Sequence, residues 1–198
     1  MATSVVSICN MALRWVGTRS IAVITENSPE SKECVQFYDP AREQTLRDHA
    51  WNFAQARIVL ASLTVPAAYP EYSYAYAWPS GCLRALKVLN ASGVAEDFEV
   101  VLAASGASRM ILTNAESAML VYTADVSDPN VFDPLFVRAL ARRLAADICP
   151  SLRKGDSKMV QMQETYYVNE ISKAQTRDAG EGKPEDVEES SWVTARFS

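Results

Sequence analysis

Side chains able to do chemistry are few and scattered in this sequence of 198 residues. His49 is the single histidine, so a serine triad or a cysteine–histidine pair would have to use it, and no nucleophile-elbow sequence accompanies it. Its position on the flank of an apolar stripe favours packing or hydrogen bonding over catalysis. Cys9, Cys34, Cys82 and Cys149 contain no CxxC pair and lie mostly within apolar stripes, which fits buried free thiols in a reducing compartment better than a zinc or redox site. Gly180-Glu181-Gly182-Lys183 lacks the GxxxxGK[ST] spacing, a strand before it and a helix after it, and no GxGxxG occurs. A glycosidase needs only two acids at a suitable separation, but the 24 acidic residues nominate no pair. Arg138, Arg142 and Arg143 could grip phosphate, although an amphipathic surface helix yields the same cluster. Tyr72, Tyr74, Tyr76 and Trp78 could stack bases or sugars; a sheet face packed against helices or a neighbouring subunit is the favoured reading. No catalytic residue, metal site or cofactor site follows, and the chain reads as a non-enzyme.

The elements that would carry these residues are more legible. Cys34, Tyr38, Ala41, Thr45 and His49 recur at steps of three and four across residues 28–57, which predicts one long central helix. Ser28 suits the N-cap and Pro29 the first turn, while Pro40 predicts a kink or a junction of two helices. A first helix is expected over 4–16, with Val5, Ile8, Cys9, Ala12 and Val16 on one face and Gly17 as its stop. A short extended connection through Ile21, Val23 and Ile24 would join the two. Tyr72 to Trp78 alternates with small residues at a period of two, as one face of a strand does. Further strands are expected over 83–89, 98–102, 109–113 and 118–123, separated by turn residues. Helices return after Asp133-Pro134, with Pro150 as a stop, and again from Asp156 to about Arg177.

These elements predict an α+β chain: a mainly helical bundle domain with an inserted small antiparallel β domain and an extended C-terminal tail. The helical domain would be discontinuous, 1–68 and 128–178, with the β domain at 69–127 and an acidic tail at 179–198. The net charge of −5 is concentrated at the end. Asp178, Glu181, Glu185, Asp186, Glu188 and Glu189 face only Lys183 and Arg196 there, leaving the body near neutral. A tight nucleic-acid binder usually carries a basic footprint, and the sequence shows none. The N-terminus has neither a basic n-region nor an apolar run long enough for a signal peptide or a membrane span, so synthesis in the cytoplasm and no membrane are expected. The tail is too polar to fold alone, yet it ends in Trp192, Val193, Arg196 and Phe197, and large aromatics are costly to leave in water. These four are the expected docking residues, and Tyr72, Tyr74, Tyr76 and Trp78 are expected to serve packing or an interface.

Several stretches, taken in order, resemble one family. They are Ile8-Cys9-Asn10-x-Ala12-Leu13 with Gly17, and Tyr38-Asp39-x-Ala41-Arg42-x3-Leu46-x4-Trp51-x-Phe53-Ala54-x2-Arg57. Tyr76-Ala77-x-Pro79-x2-Cys82-Leu83-Arg84 follows, then Phe132-x2-Leu135-Phe136-x2-Ala139-Leu140-Ala141-x-Arg143-Leu144-Ala145 and the closing Trp192-x3-Arg196. The series resembles the tail tubular protein A, or head-to-tail adaptor (connector), of short-tailed bacteriophages. That resemblance implies a structural virion protein at the head–tail junction, made in the host cytoplasm. It implies a ring of twelve copies joining the portal protein to the tail nozzle, or tubular protein B, with DNA ejected through the channel without specific binding. The tail would then order on assembly against a neighbour or the portal. Two other classes stay open: a cell-wall glycosidase acting at entry, and a cytoplasmic interaction module unrelated to virions.

Overall fold

Helix formation begins where a side chain can satisfy the first free backbone N–H groups. Ser4 accepts from the Ser7 N–H and the Ser7 hydroxyl accepts from the Ser4 N–H, a reciprocal box that opens α1 (Val5–Val16). Gly17 closes it with φ 80°, a left-handed conformation in which its N–H reaches the Leu13 and Arg14 carbonyls. The computed structural model describes residues 3–103, 106 and 108–181. Between the first two helices, Asn10 clamps the chain: its Nδ2 donates to the Ile21 carbonyl at 2.9 Å and its Oδ1 accepts the Ile21 N–H at 2.8 Å.

Ser28 caps α2 (Pro29–Asp48), which continues through Pro40 as a single helix. It ends at His49, whose backbone is extended, and so stops short of the expected residue 57. The last carbonyls of a helix need donors, and side chains from later in the chain supply them. Trp51 Nε1 donates to the Thr45 carbonyl at 2.8 Å, and Arg84 Nη1 donates to the Arg47 carbonyl at 2.9 Å. After a short 3₁₀ turn at Asn52–Ala54 the chain becomes a strand.

Eight strands follow: β1 (Gln55–Val59), β2 (Ser62–Leu63), β3 (Tyr74–Ala77), β4 (Cys82–Leu89), β5 (Ala95–Glu96), β6 (Phe98–Leu102), β7 (Arg109–Thr113) and β8 (Met119–Ala124). They make two antiparallel sheets, ordered β1-β8-β4-β5 and β2-β3-β7-β6. The stretch from β1 to β2 passes from one sheet to the other, with Leu60 bonded to Ala118 and Ala61 to Ala77 at the crossing. Val88 and Leu120 of the first sheet meet Tyr76 and Ile111 of the second in a shared core. A smaller cluster of Ala75, Met110 and Leu112, roofed by Val65, Tyr69 and Tyr72, covers the outer face of the second sheet.

The helical layer is completed by α3 (Pro134–Leu152) and α4 (Ser157–Glu181). Asp133 caps α3 through the Leu135 N–H at 2.7 Å, with Pro134 at the first position, and the helix runs past Pro150. Ala139, Leu140, Leu144, Ala145 and Ile148 are buried on α3, which packs against α1, α2 and α4 and forms the centre of the layer.

A mainly helical bundle with a small inserted sheet is therefore not what forms. The described residues hold four α-helices and two four-stranded antiparallel sheets, 45% helix and 22% strand. The reason lies in β1, β2 and β5. Gln55, Ala56 and Arg57 are good helix formers that extend the period of α2, and the outward Ile58, Val59 and Leu63 blur the alternation that marks a strand. β5 is two residues long. Pairing to β8, β3 and β4 decides their conformation, as tertiary context overrides local propensity.

Candidate assembly surfaces and the helix–sheet joint

Most residues that carry the family resemblance are joints. Tyr38, Ala41, Leu46, Trp51 and Ala54 are buried, and Trp51, Phe53, Phe132 and Phe136 form a ring cluster with centroids 4.8–6.3 Å apart. Arg42 ties α2 to the end of the first sheet. Its guanidinium donates to Asp125, just beyond β8, to the Val126 carbonyl at 3.0 Å and to Asp39 at 3.4 Å. The side chain is only 5% exposed. Burial alone pulls its pKa down, but the hydrogen bond and charge of Asp125, with Asp39, outweigh that and hold the cation above its ordinary value.

The three arginines of α3 all have partners on the helices, although Arg138 is 54% exposed. Arg138 pairs with Glu170 at 3.1 Å and Arg143 with Asp147 at 2.9 Å. Arg142 lies over the Trp15 ring at 3.6 Å and the Tyr166 ring at 4.5 Å, donating to Gln163 Oε1 at 2.8 Å. Gln163, itself 1% exposed, donates in turn to the Trp15 carbonyl at 3.2 Å. Burial pulls the Arg142 pKa below its usual range. The cluster read as a possible phosphate grip thus fastens α1, α3 and α4 together. Gln163 gave no sign of this in the sequence, since a polar residue inside a polar helix carries no periodicity.

Tyr74 and Tyr76 face the other sheet, with ring centroids 6.5 Å apart. Tyr76 is buried and its hydroxyl donates to the Ala115 carbonyl at 2.8 Å while accepting the Ala118 N–H at 3.3 Å. Trp78 packs on the same core, and Arg109 lies 4.0 Å over its ring. Tyr72 departs from the ladder: it packs in the outer cluster and donates to Glu99 at 3.3 Å. Trp192, Val193, Arg196 and Phe197 lie outside the described residues.

All four cysteines are buried free thiols. Cys9 of α1 meets Cys34 of α2, and that thiol–thiol hydrogen bond, with burial, holds Cys9 protonated far above the usual range. Tyr38 lies beside them, and burial, with Cys9 adding, pushes its phenol up to about 12. Its hydroxyl is buried without a partner beside a surface groove of about 440 Å³ that Tyr38 lines with Val5, Ile24 and Val35. A buried orphan hydroxyl is unfavourable, so Tyr38→Phe is expected to be neutral or to stabilise by about 1 kcal/mol, read by urea unfolding. The stability tied to protonated Tyr38 is complete below pH 10 and fades as pH rises through 12; the variant should lose that part of the alkaline decline. A loss of stability at pH 7 would show that the hydroxyl has a partner after all.

His49 packs edge-on to Trp51 with centroids 4.8 Å apart. Among the described residues no group of three or more His, Cys, Asp and Glu is placed to hold a metal ion. No described helix is long and apolar enough to cross a membrane. Protein-family models give no match to the chain, and comparison with curated proteins gives none either.

Beyond the joints, large apolar side chains are exposed at several places on the described surface, among them Leu102 of β6 and Val168 of α4. The edge strands β1 and β2 present Ile58, Val59 and Leu63, with Val59 65% exposed. On the helical side, Val23 and Val35 are also exposed.

Proposed function

We propose that the chain is a structural virion protein, the head-to-tail adaptor of a short-tailed bacteriophage, and that twelve copies form a ring between the portal and the tail nozzle. DNA passes through the channel of that ring. The observation that carries this reading is the exposed run of β1 and β2 at the open edges of the two sheets. A ring closes by heterologous contacts, in which one patch meets a different patch on the next copy. An edge strand with outward apolar side chains suits one half of such a contact, because it can add backbone pairing to apolar burial. Elsewhere on the chain Val23, Val35, Leu102 and Val168 are exposed apolar side chains from which a different, facing patch could be built. The resemblance in sequence also falls on residues that build a rigid frame, as a scaffold protein requires. In the assembled ring the tail residues Trp192 and Phe197 anchor on a neighbour or the portal.

Light scattering tests the proposal. The protein is measured alone and then mixed with portal protein. Mass added to the portal at a near one-to-one subunit ratio is the expected result. A protein that stays at 21.8 kDa in both samples, and is not recruited by DNA-filled portals, would overturn it.

A further inference from the structure

The two sheets leave two open sides, and each side is bordered by one continuous segment that edges both sheets. On one side β1 runs into β2, so residues 55–63 border the first sheet and then the second. On the other side β5 runs into β6, and residues 95–102 do the same. Both borders have unused backbone groups, because the bonds of an antiparallel strand point alternately toward its partner and away from it. Leu60 donates to Ala118 in line with the β1–β8 register, so Arg57 and Val59 turn their N–H and C=O groups outward. Ala103 donates to Ser108 in line with the β6–β7 register, so Val100 and Leu102 do likewise.

The core is open at the same two borders. Ile58 is level with Leu120 and Val100 with Ile111, and Leu120 and Ile111 are core residues between the sheets. Side chains of paired residues share a face, so Ile58 and Val100 also face the space between the sheets. They are nevertheless 40% and 38% exposed. Leu102, two residues on from Val100 and so on the same face, is 63% exposed. Such an interior is completed by a partner that brings a free strand edge and apolar side chains at the seam. A second copy of this chain brings both.

We propose that residues 55–63 of one copy pair with residues 95–102 of the next, so that the sheets and the core between them run on from copy to copy. Charge selects this match over a border meeting its own kind. Residues 55–63 carry Arg57 and no acid, while 95–102 carry Glu96, Asp97 and Glu99 and no base. Like charges on facing strands are unfavourable, so two 95–102 borders repel and unlike borders attract. Strand direction agrees. Each sheet has four antiparallel strands, so its two edges run in opposite directions. Copies set side by side in one orientation therefore meet antiparallel, and the alternation continues without a break. Because the two partners use different patches, every copy keeps one border for a further neighbour. The pairing supplies the second half of the ring contact and rests on the adaptor reading for its purpose.

Val59→Pro and Leu102→Pro test it in concentrated full-length protein without portal. Each proline removes an N–H that points out of its sheet, so no ladder bond within the chain is lost. Sedimentation should show wild type growing past the dimer with concentration and each variant remaining a monomer. An equimolar mixture of the two should give a one-to-one dimer and nothing larger, since only one intact border of each kind is left. Amide-resolved hydrogen exchange of wild type needs no variant, and it decides alone if a proline unfolds its protein. There the N–H groups of Arg57, Val59, Val100 and Leu102 should exchange roughly tenfold or more slowly in the associated form than in the monomer. Wild type that stays monomeric, a proline variant that dimerises by itself, a mixture of folded variants that stays monomeric, or protection confined to one border would overturn the pairing. Recruitment by portal without pairing would sink only the pairing, and pairing without recruitment would sink only the adaptor.

Discussion

Phe136→Ala is expected to destabilise the protein by about 3–5 kcal/mol, the largest effect of any single truncation in the helical layer. Phe136 is fully buried and its ring is edge-on to Trp51 at 5.2 Å, Phe53 at 5.1 Å and Phe132 at 4.8 Å. Alanine removes both the buried apolar surface and the edge-to-face contacts, and the three large neighbours, two on the 3₁₀ turn and one before α3, cannot all move in to fill the space. Phe136→Leu keeps most of the volume and should lose about 1–1.5 kcal/mol. For a domain of this size each kcal/mol moves the melting temperature by about 2–4 °C, so thermal unfolding separates the two variants. An alanine variant within 1 kcal/mol of wild type would mean that the ring cluster does not hold the layer together.

The second large effect is at the helix–sheet joint, and there the two partners should differ. Asp125→Ala takes the main carboxylate from the Arg42 guanidinium, which is 5% exposed, and leaves it the Val126 carbonyl, Asp39 at 3.4 Å and Glu43 at 3.8 Å. Removing one partner of a buried pair typically costs about 3–5 kcal/mol. Arg42→Met instead leaves Asp125, whose side chain is 35% exposed and can be hydrated, so a smaller loss of about 2–3 kcal/mol is expected. The double variant should lie closer to Arg42→Met than to the sum, because the stranded charge is gone. Denaturant unfolding of the three proteins reads this directly. Equal losses for the two single variants, adding in the double, would show that the pair is not coupled through burial.

Much of the helical layer was legible because its stripes lie next to clear punctuation. Ser4, Gly17, Ser28-Pro29 and Asp133-Pro134 mark boundaries by local chemistry, and Ile8, Cys9, Leu140 and Leu144 face inward as their period requires. Pro40 and Pro150 misled, since both are accommodated within continuous helices. The sheets were half legible. Tyr76 announced β3, but β1 hid behind helix-forming residues, and its identity depends on β8, sixty residues away. That same miss concealed the shared face of Arg57 and Lys87, which flank Val121 only when β1 and β4 lie on either side of β8. The exposed apolar residues of β1 and β2 were hidden for the same reason. The joint was only partly readable: Tyr-Asp-x-Ala-Arg stood out as a resemblance, while nothing in the sequence linked Arg42 to Asp125.

The packing of the helices sets an order of events during synthesis. α1 and α2 bury their stripes chiefly against α3, which emerges from the ribosome only after all eight strands. The pairing of β1 with β8 brings together the two ends of the strand-forming segment, so the sheets can close as soon as Ala124 is available. Until residues 134–152 follow, the first two helices have each other and the sheet joint at Asp125 but lack their main packing surface. The nascent chain therefore carries two unburied apolar helices through most of translation, a state prone to aggregation. Rapid closure of the sheets does not shorten it; only the arrival of α3 does.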